Sequence, residues 1–114
     1  MLSLVSDECP RHFCNVATTY DYLKSTSDDR LGIKIITDEY IYNKNSMLYT
    51  KFDAEIVRDT FKLKIDEYNR ETLFRIKFAS ITNSSEVYDS EFDGFLGLAP
   101  YTKDNNNFIY NFLF

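Results

Sequence analysis

Twice along this chain, apolar and polar side chains alternate regularly enough to define the two faces of a strand. Over residues 57–65, Val57, Phe61, Leu63 and Ile65 fall on one side, and Arg58, Thr60, Lys62 and Lys64 on the other. A period of two marks a strand with one buried face. Residues 73–78 repeat the device, with Phe74, Ile76 and Phe78 turned inward and Arg75 and Lys77 outward. The polar stretch 66–71 between them reads as a hairpin connection. Residues 31–36 and 40–42 predict two shorter strands about a turn at Thr37-Asp38. Residues 83–91 and 103–107 are polar and loop-like, and residues 108–114 predict a short C-terminal helical turn. No internal repeat or composition break divides the chain, so the expectation is one all-β domain over residues 1–114.

Composition narrows the function classes. A chain of 114 residues can bury a core, and 44% hydrophobic residues set it apart from disordered sequences. The 9 Tyr and 10 Phe, with no Trp, favour strands over helices. A net charge of −5 argues against a nucleic-acid partner, which selects for basic patches. No apolar run is long enough to span a membrane. Residues 1–5 are too short for a secretory apolar core, so no signal peptide is expected within the chain.

Candidate chemistry is sparse. Asp28-Asp29, Asp38-Glu39 and Asp66-Glu67 are adjacent pairs, and neighbours on a strand or turn point apart, which makes them poor acid–base couples. His12 is the one histidine, and no third group accompanies it to build a nucleophilic triad. Cys9, His12 and Cys14 fall short of the four ligands that a structural zinc takes. There is no phosphate-binding glycine loop. No cofactor and no metal are expected.

One motif stands out. In Phe92-Asp93-Gly94-Phe95-Leu96-Gly97-Leu98-Ala99-Pro100, two of the chain's 3 glycines lie within an otherwise apolar run. Glycine allows close approaches that a Cβ forbids, so this segment is expected to pack tightly beneath something. The run resembles the F-D-G-[IFV]-L-G-L segment near the end of the N-terminal lobe of pepsin-like aspartic peptidases. Other blocks follow in family order. Cys9 and Cys14 match a small disulfide loop, and residues 2–6 (LSLVS) stand where the family reads L-W-V-P-S. Residues 20–27 (YDYLKSTS) look like F-D-P-S-K-S-S-T, and Tyr42-Asn43-Lys44-Asn45-Ser46 looks like the flap tip Y-G-T-G-S. Asp59-Thr60-Phe61-Lys62-Leu63 resembles the strand D-T-V-x-[VI], and residues 108–113 are similar to the helix that follows the glycine run.

The resemblance implies a fold, a set of roles and a defect. It implies an incomplete pepsin-like (acid protease) N-terminal lobe, in which Asp93, Gly94, Phe95, Leu96 and Gly97 form the structural loop beneath a catalytic aspartate. Tyr42 and its neighbours would be the flap over a peptide or protein substrate. Asn43 and Asn45 replace the flap glycines, and asparagine tolerates left-handed backbone best after glycine. The gap from Ser46 to Asp59 exceeds the family's, implying an insertion around residues 48–53. The family's chemistry needs two D-[TS]-G triplets whose carboxylates share a proton. Neither Asp-Thr-Gly nor Asp-Ser-Gly occurs here: Asp59-Thr60 runs into Phe61, and Asp89-Ser90 into Glu91. Aligned through the cysteines, the first triplet would fall upstream of Met1. As it stands, the chain is expected to be an inactive fragment of an aspartic endopeptidase.

The resemblance further implies a Cys9–Cys14 disulfide and a secreted or lysosomal setting. Asn83-Ser84-Ser85 is an N-glycosylation sequon that fits that setting. The residues by themselves leave open two free thiols and a chance sequon. Two other functional readings stand beside the first. One is a non-catalytic peptide-binding module that recruits a strand at an exposed edge; the other is an unrelated β-domain. Strands missing from the lobe would leave apolar edges unpaired, which invites self-association.

Overall fold

The computed structural model describes residues 1–43, 46–64, 71–89 and 93–98, and strands dominate them. In chain order they are β1 (Leu2–Val5), β2 (Cys14–Asn15), β3 (Asp29–Asn43), β4 (Ser46–Lys64), β5 (Glu71–Ser84), β6 (Tyr88–Asp89) and β7 (Gly94–Leu96). A 3-10 turn, Tyr22–Lys24, is the one helical segment among the described residues. Five strands form a sheet in the order β3-β4-β5-β1-β7, and β2 pairs with β6. The all-β expectation holds for the described residues. The helical turn expected at 108–114 and the loop at 103–107 lie outside them, as do Ile65, most of the 66–71 connection, Phe92, Ala99 and Pro100.

The two alternating segments become β4 and β5, paired antiparallel with Phe61 opposite Phe74, Asp59 opposite Ile76 and Val57 opposite Phe78. Val57, Ile76 and Phe78 are buried, whereas Leu63 near the strand end is 47% exposed. β3 corrects the expected turn at Thr37-Asp38. The strand passes straight through, with Thr37 opposite Phe52 and Asp38 opposite Lys51. Polar residues suit the open face of a hairpin as well as they suit a turn, and Ile35, Ile36 and Tyr40 around them favour extended backbone. Residues 48–53, expected as an insertion, lengthen the same hairpin as part of β4. At the far end of β5, Asn83 and Ser84 stay in the strand and residues 88–89 pair with β2, so the loop expected over 83–91 is shorter.

β4 is buried on both of its faces, and its partner β5 bulges at Thr82. The β4–β5 register shifts between Asp53 and Ala54, and the Thr82 hydroxyl donates to the Asp53 carbonyl at 3.2 Å. On one face Phe52, Ala54 and Ile56 are buried; on the other, Val57 and Asp59. The first face joins a core of Val5, Cys9, Cys14, Val16, Ala79 and Ile81, with Met1, Ile35 and Phe95 packed against it. The second carries Phe61 and Phe78, whose rings meet edge to face at 5.3 Å, and Tyr20 edge-on to Phe78 at 4.9 Å. A fully buried side chain of this size contributes about 1.5–3 kcal/mol.

The Cys9–Cys14 disulfide is formed, with Cα atoms 5.9 Å apart. The Cys14 amide donates to the Pro10 carbonyl at 2.9 Å, so the covalent link closes a loop already turned by hydrogen bonds. A loop this short is worth about 2 kcal/mol in the chain-entropy account. β7 lies antiparallel to β1, with Leu2 opposite Leu96, Ser3 opposite Phe95 and Leu4 opposite Gly94. A Cβ on Gly94 would collide with the Ser3 carbonyl oxygen, which explains that glycine.

Candidate functional site

Glu39 of β3, the first strand and the glycine run line an open cleft. Along β3, Ile35, Thr37 and Glu39 alternate with the exposed Lys34, Ile36, Asp38 and Tyr40. Glu39 faces Met1 and Ser3 of the first strand and Gly94, Phe95, Leu96 and Gly97 of the glycine run across a cleft of about 490 Å³. The floor is fixed from both sides. The Gly97 amide donates to the Met1 carbonyl at 3.0 Å, the Val5 amide donates to the Asp93 carbonyl at 3.2 Å, and Phe95 rests 5.8 Å from the Phe52 ring.

Glu39 is half-buried, and among the described residues no donor is hydrogen-bonded to its carboxylate. Burial pushes its carboxyl up from the ordinary value; the Met1 amine opposes that shift and the Asp38 charge adds to it. Two residues earlier on the same face, the Thr37 hydroxyl is buried and has no hydrogen-bond partner among the described residues.

The second notable carboxylate is Asp59, which the sequence reading left out of the inward face of its strand. It is 5% exposed. Four donors surround it: the Tyr20 hydroxyl at 2.8 Å, Ser25 at 2.7 Å, Ser27 at 2.5 Å and the Thr60 amide at 2.7 Å. Burial alone would raise its pKa, but the bonds from Ser27, Ser25, Tyr20 and the Thr60 amide outweigh that and hold the carboxyl below the ordinary carboxylate range. The Tyr20 hydroxyl is pushed well up, first by its own burial and then by its bond to Asp59. Arg75 closes the rim by donating to the Ser27 carbonyl at 2.6 Å. The cage pins residues 20–27 to the β4–β5 sheet. An acidic residue between Val57 and Phe61, on the buried face of an alternating strand, was the signal that could have found it.

Arg30 plays a comparable bracing part. It forks onto Glu55 at 3.2 and 2.5 Å, reaches Glu8 at 3.3 Å and lies 4.0 Å above the Tyr22 ring. The Glu55 bond drives its pKa further up. It lines a wider cleft of about 850 Å³ whose walls carry both signs of charge, with Lys34 on one side and Glu8 and Asp53 on the other.

The remaining sequence-derived residues distribute as follows. Asn43 pairs with Ser46 and Tyr42 with Met47 near the end of the β3–β4 ladder; Lys44 and Asn45, the middle of the segment that resembles a flap tip, lie outside the described residues. Asn83 is exposed and its side-chain oxygen accepts from the Ser84 amide at 2.9 Å. His12 is exposed beside the disulfide and contacts the Phe13 ring at 4.3 Å. Among the described residues no group of three or more His, Cys, Asp or Glu side chains is placed to hold a metal ion. No helix among them is long and apolar enough to cross a membrane. No family model matches the chain, and no curated protein does either.

Proposed function

We propose that the chain is part of the N-terminal lobe of a pepsin-like aspartic peptidase, and that these 114 residues bind peptide without hydrolysing it. The observation that carries the reading is the cleft. Phe95-Leu96-Gly97 is laid against β1 and shares an open cleft with Glu39 of the long hairpin that the resemblance identifies with the flap. Two further observations support it. Residues 20–27 and Asp59-Thr60, which resemble separate blocks of the family, meet at one carboxylate. The cysteines form the short disulfide loop that the same resemblance implies.

In the parent reaction, two aspartates sharing one proton add water across an extended peptide bond. Neither D-[TS]-G triplet is among these residues, so the chain contributes recognition. The hairpin and the glycine run take an extended segment between them, and the secretory setting goes with the disulfide and with a sugar at Asn83. The absence of the triplets from a formed cleft favours a second reading, a non-catalytic peptide-binding module.

Intact-mass analysis of the native protein, with sequencing of any flanking peptide, tests both. A product much heavier than 13.5 kDa, with Asp-Thr-Gly or Asp-Ser-Gly on each side of this segment, supports the peptidase. A product of 13.5 kDa that binds extended peptides without cleaving them supports the module. Flanks without either triplet, together with no peptide binding, overturn both.

A further inference from the structure

We propose that the outer edge of β3 pairs antiparallel with β3 of a second copy of this chain, about a two-fold axis at Ile36. This goes beyond the peptide-cleft reading and does not depend on it. Among the described residues β3 has a single strand neighbour, β4, and its other edge is open. Open edges of this length are templates for further pairing. The exposed face of the strand is adhesive, with Ile36 68% and Tyr40 71% exposed.

Antiparallel geometry restricts the register. Directly opposed residues must both turn their backbone groups toward the partner or both away, so residues of opposite parity cannot face each other. A two-fold axis therefore passes through a residue pairing with itself. Centred on Lys34 or Asp38, it would oppose like charges. Centred on Ile35 or Thr37, it would leave Lys34 and Asp38 opposite uncharged residues. Centred on Ile36, it sets Lys34 of each copy opposite Asp38 of the other, twice by symmetry.

The hairpin extends that match. Within one chain Lys34 lies opposite Glu55, and Asp38 opposite Lys51. Asp38 also takes a hydrogen bond from Tyr49 in its own hairpin, which orients it. Across the dimer, one face then reads Glu55, Lys34, Asp38, Lys51, with signs alternating over four strands. Opposite charges on directly facing strand positions stabilise, and like charges destabilise. No other register about β3 gives this ladder.

Sedimentation of the whole chain over a concentration series tests the pairing. The expected result is a reversible dimer that Lys34→Glu and Asp38→Lys each weaken by about tenfold, with the double variant restored to the unsubstituted affinity. All of these positions are exposed, so folding is expected to be retained and circular dichroism checks it. Among the described residues there is no free cysteine, which makes an introduced thiol a clean reporter. Ile36→Cys is expected to give a disulfide-linked dimer on mild oxidation, and Lys34→Cys is not. A chain monomeric at every concentration overturns the proposal, whether the edge is open or covered by another segment. So does a dimer indifferent to the single reversals, or one in which Lys34→Cys cross-links as readily as Ile36→Cys.

Discussion

Each half of the sheet withdraws one carboxylate from solvent, and the two end in opposite electrostatic states. Asp59, on the β4–β5 hairpin, is 5% exposed, yet its carboxyl is held below its ordinary range. Glu39, on the β3–β4 hairpin, is only half-buried, yet its carboxyl is pushed up. The difference lies in donors: Asp59 collects three hydroxyls and an amide, whereas none of the described residues donates to Glu39. A satisfied buried ion is a structural pin; a desolvated one without donors is poised for a partner.

Removing the pin should have the largest effect. Asp59→Ala strands the Tyr20, Ser25 and Ser27 hydroxyls around a void and is expected to cost about 3 kcal/mol in urea unfolding. Acid should undo the same cage without mutation. Because the folded pKa of Asp59 is depressed, its contribution is complete above the unfolded carboxyl pKa of about 3.9 and is lost as pH falls through the folded value. Stability measured from pH 6 downward should therefore decline in the native chain and flatten in Asp59→Asn. Tyr20→Phe deletes one donor of four and keeps the ring against Phe78, with an expected loss of about 1 kcal/mol. Glu39→Gln should give the smallest change and the opposite sign. A carboxyl with a raised folded pKa costs stability as pH rises through its titration range, so the variant should gain a few tenths of a kcal/mol at pH 7, on the order of a lightly buried charge, and nothing below pH 4. If Glu39→Gln instead loses stability at pH 7, the carboxylate has a donor and the contrast with Asp59 fails.

Much of the fold was legible because it obeys a single period. Phe74, Ile76 and Phe78 alternate with Arg75 and Lys77 in the sequence and do so in the sheet. Gly94 was legible as a close-approach glycine, and its neighbour proved to be the Ser3 carbonyl. What escaped involves rules that compete with periodicity. Both faces of β4 are covered, so Ile56 and Val57 are adjacent and both inside, a pattern no one-sided alternation predicts, and the unpaired Thr82 of β5 marks a bulge that no local signal announces. Thr37-Asp38 looked like a turn because two adjacent polar residues read as a bend, whereas in the strand only Asp38 is exposed and Thr37 turns inward. Asp59 was overlooked because its acceptability depends on Ser25 and Ser27, which are far away in sequence. Gly32, at φ +71° beside the β3 register shift, has the same character: its need for glycine appears only once the neighbouring strand is in place.

The position of β1 has a kinetic consequence. The strand sits between β5 and β7, with Ser3 opposite both Ala79 and Phe95, so both of its partners lie far away along the chain. Local hairpins such as β3–β4 and β4–β5 can form as soon as their own residues exist, whereas β1 must wait for a loop spanning most of the chain to close. Until that closure, the apolar residues of β1 have no partner strands to cover them. The Cys9–Cys14 ring that follows β1 is closed between near neighbours, so the turn beyond the strand does not depend on that long-range pairing.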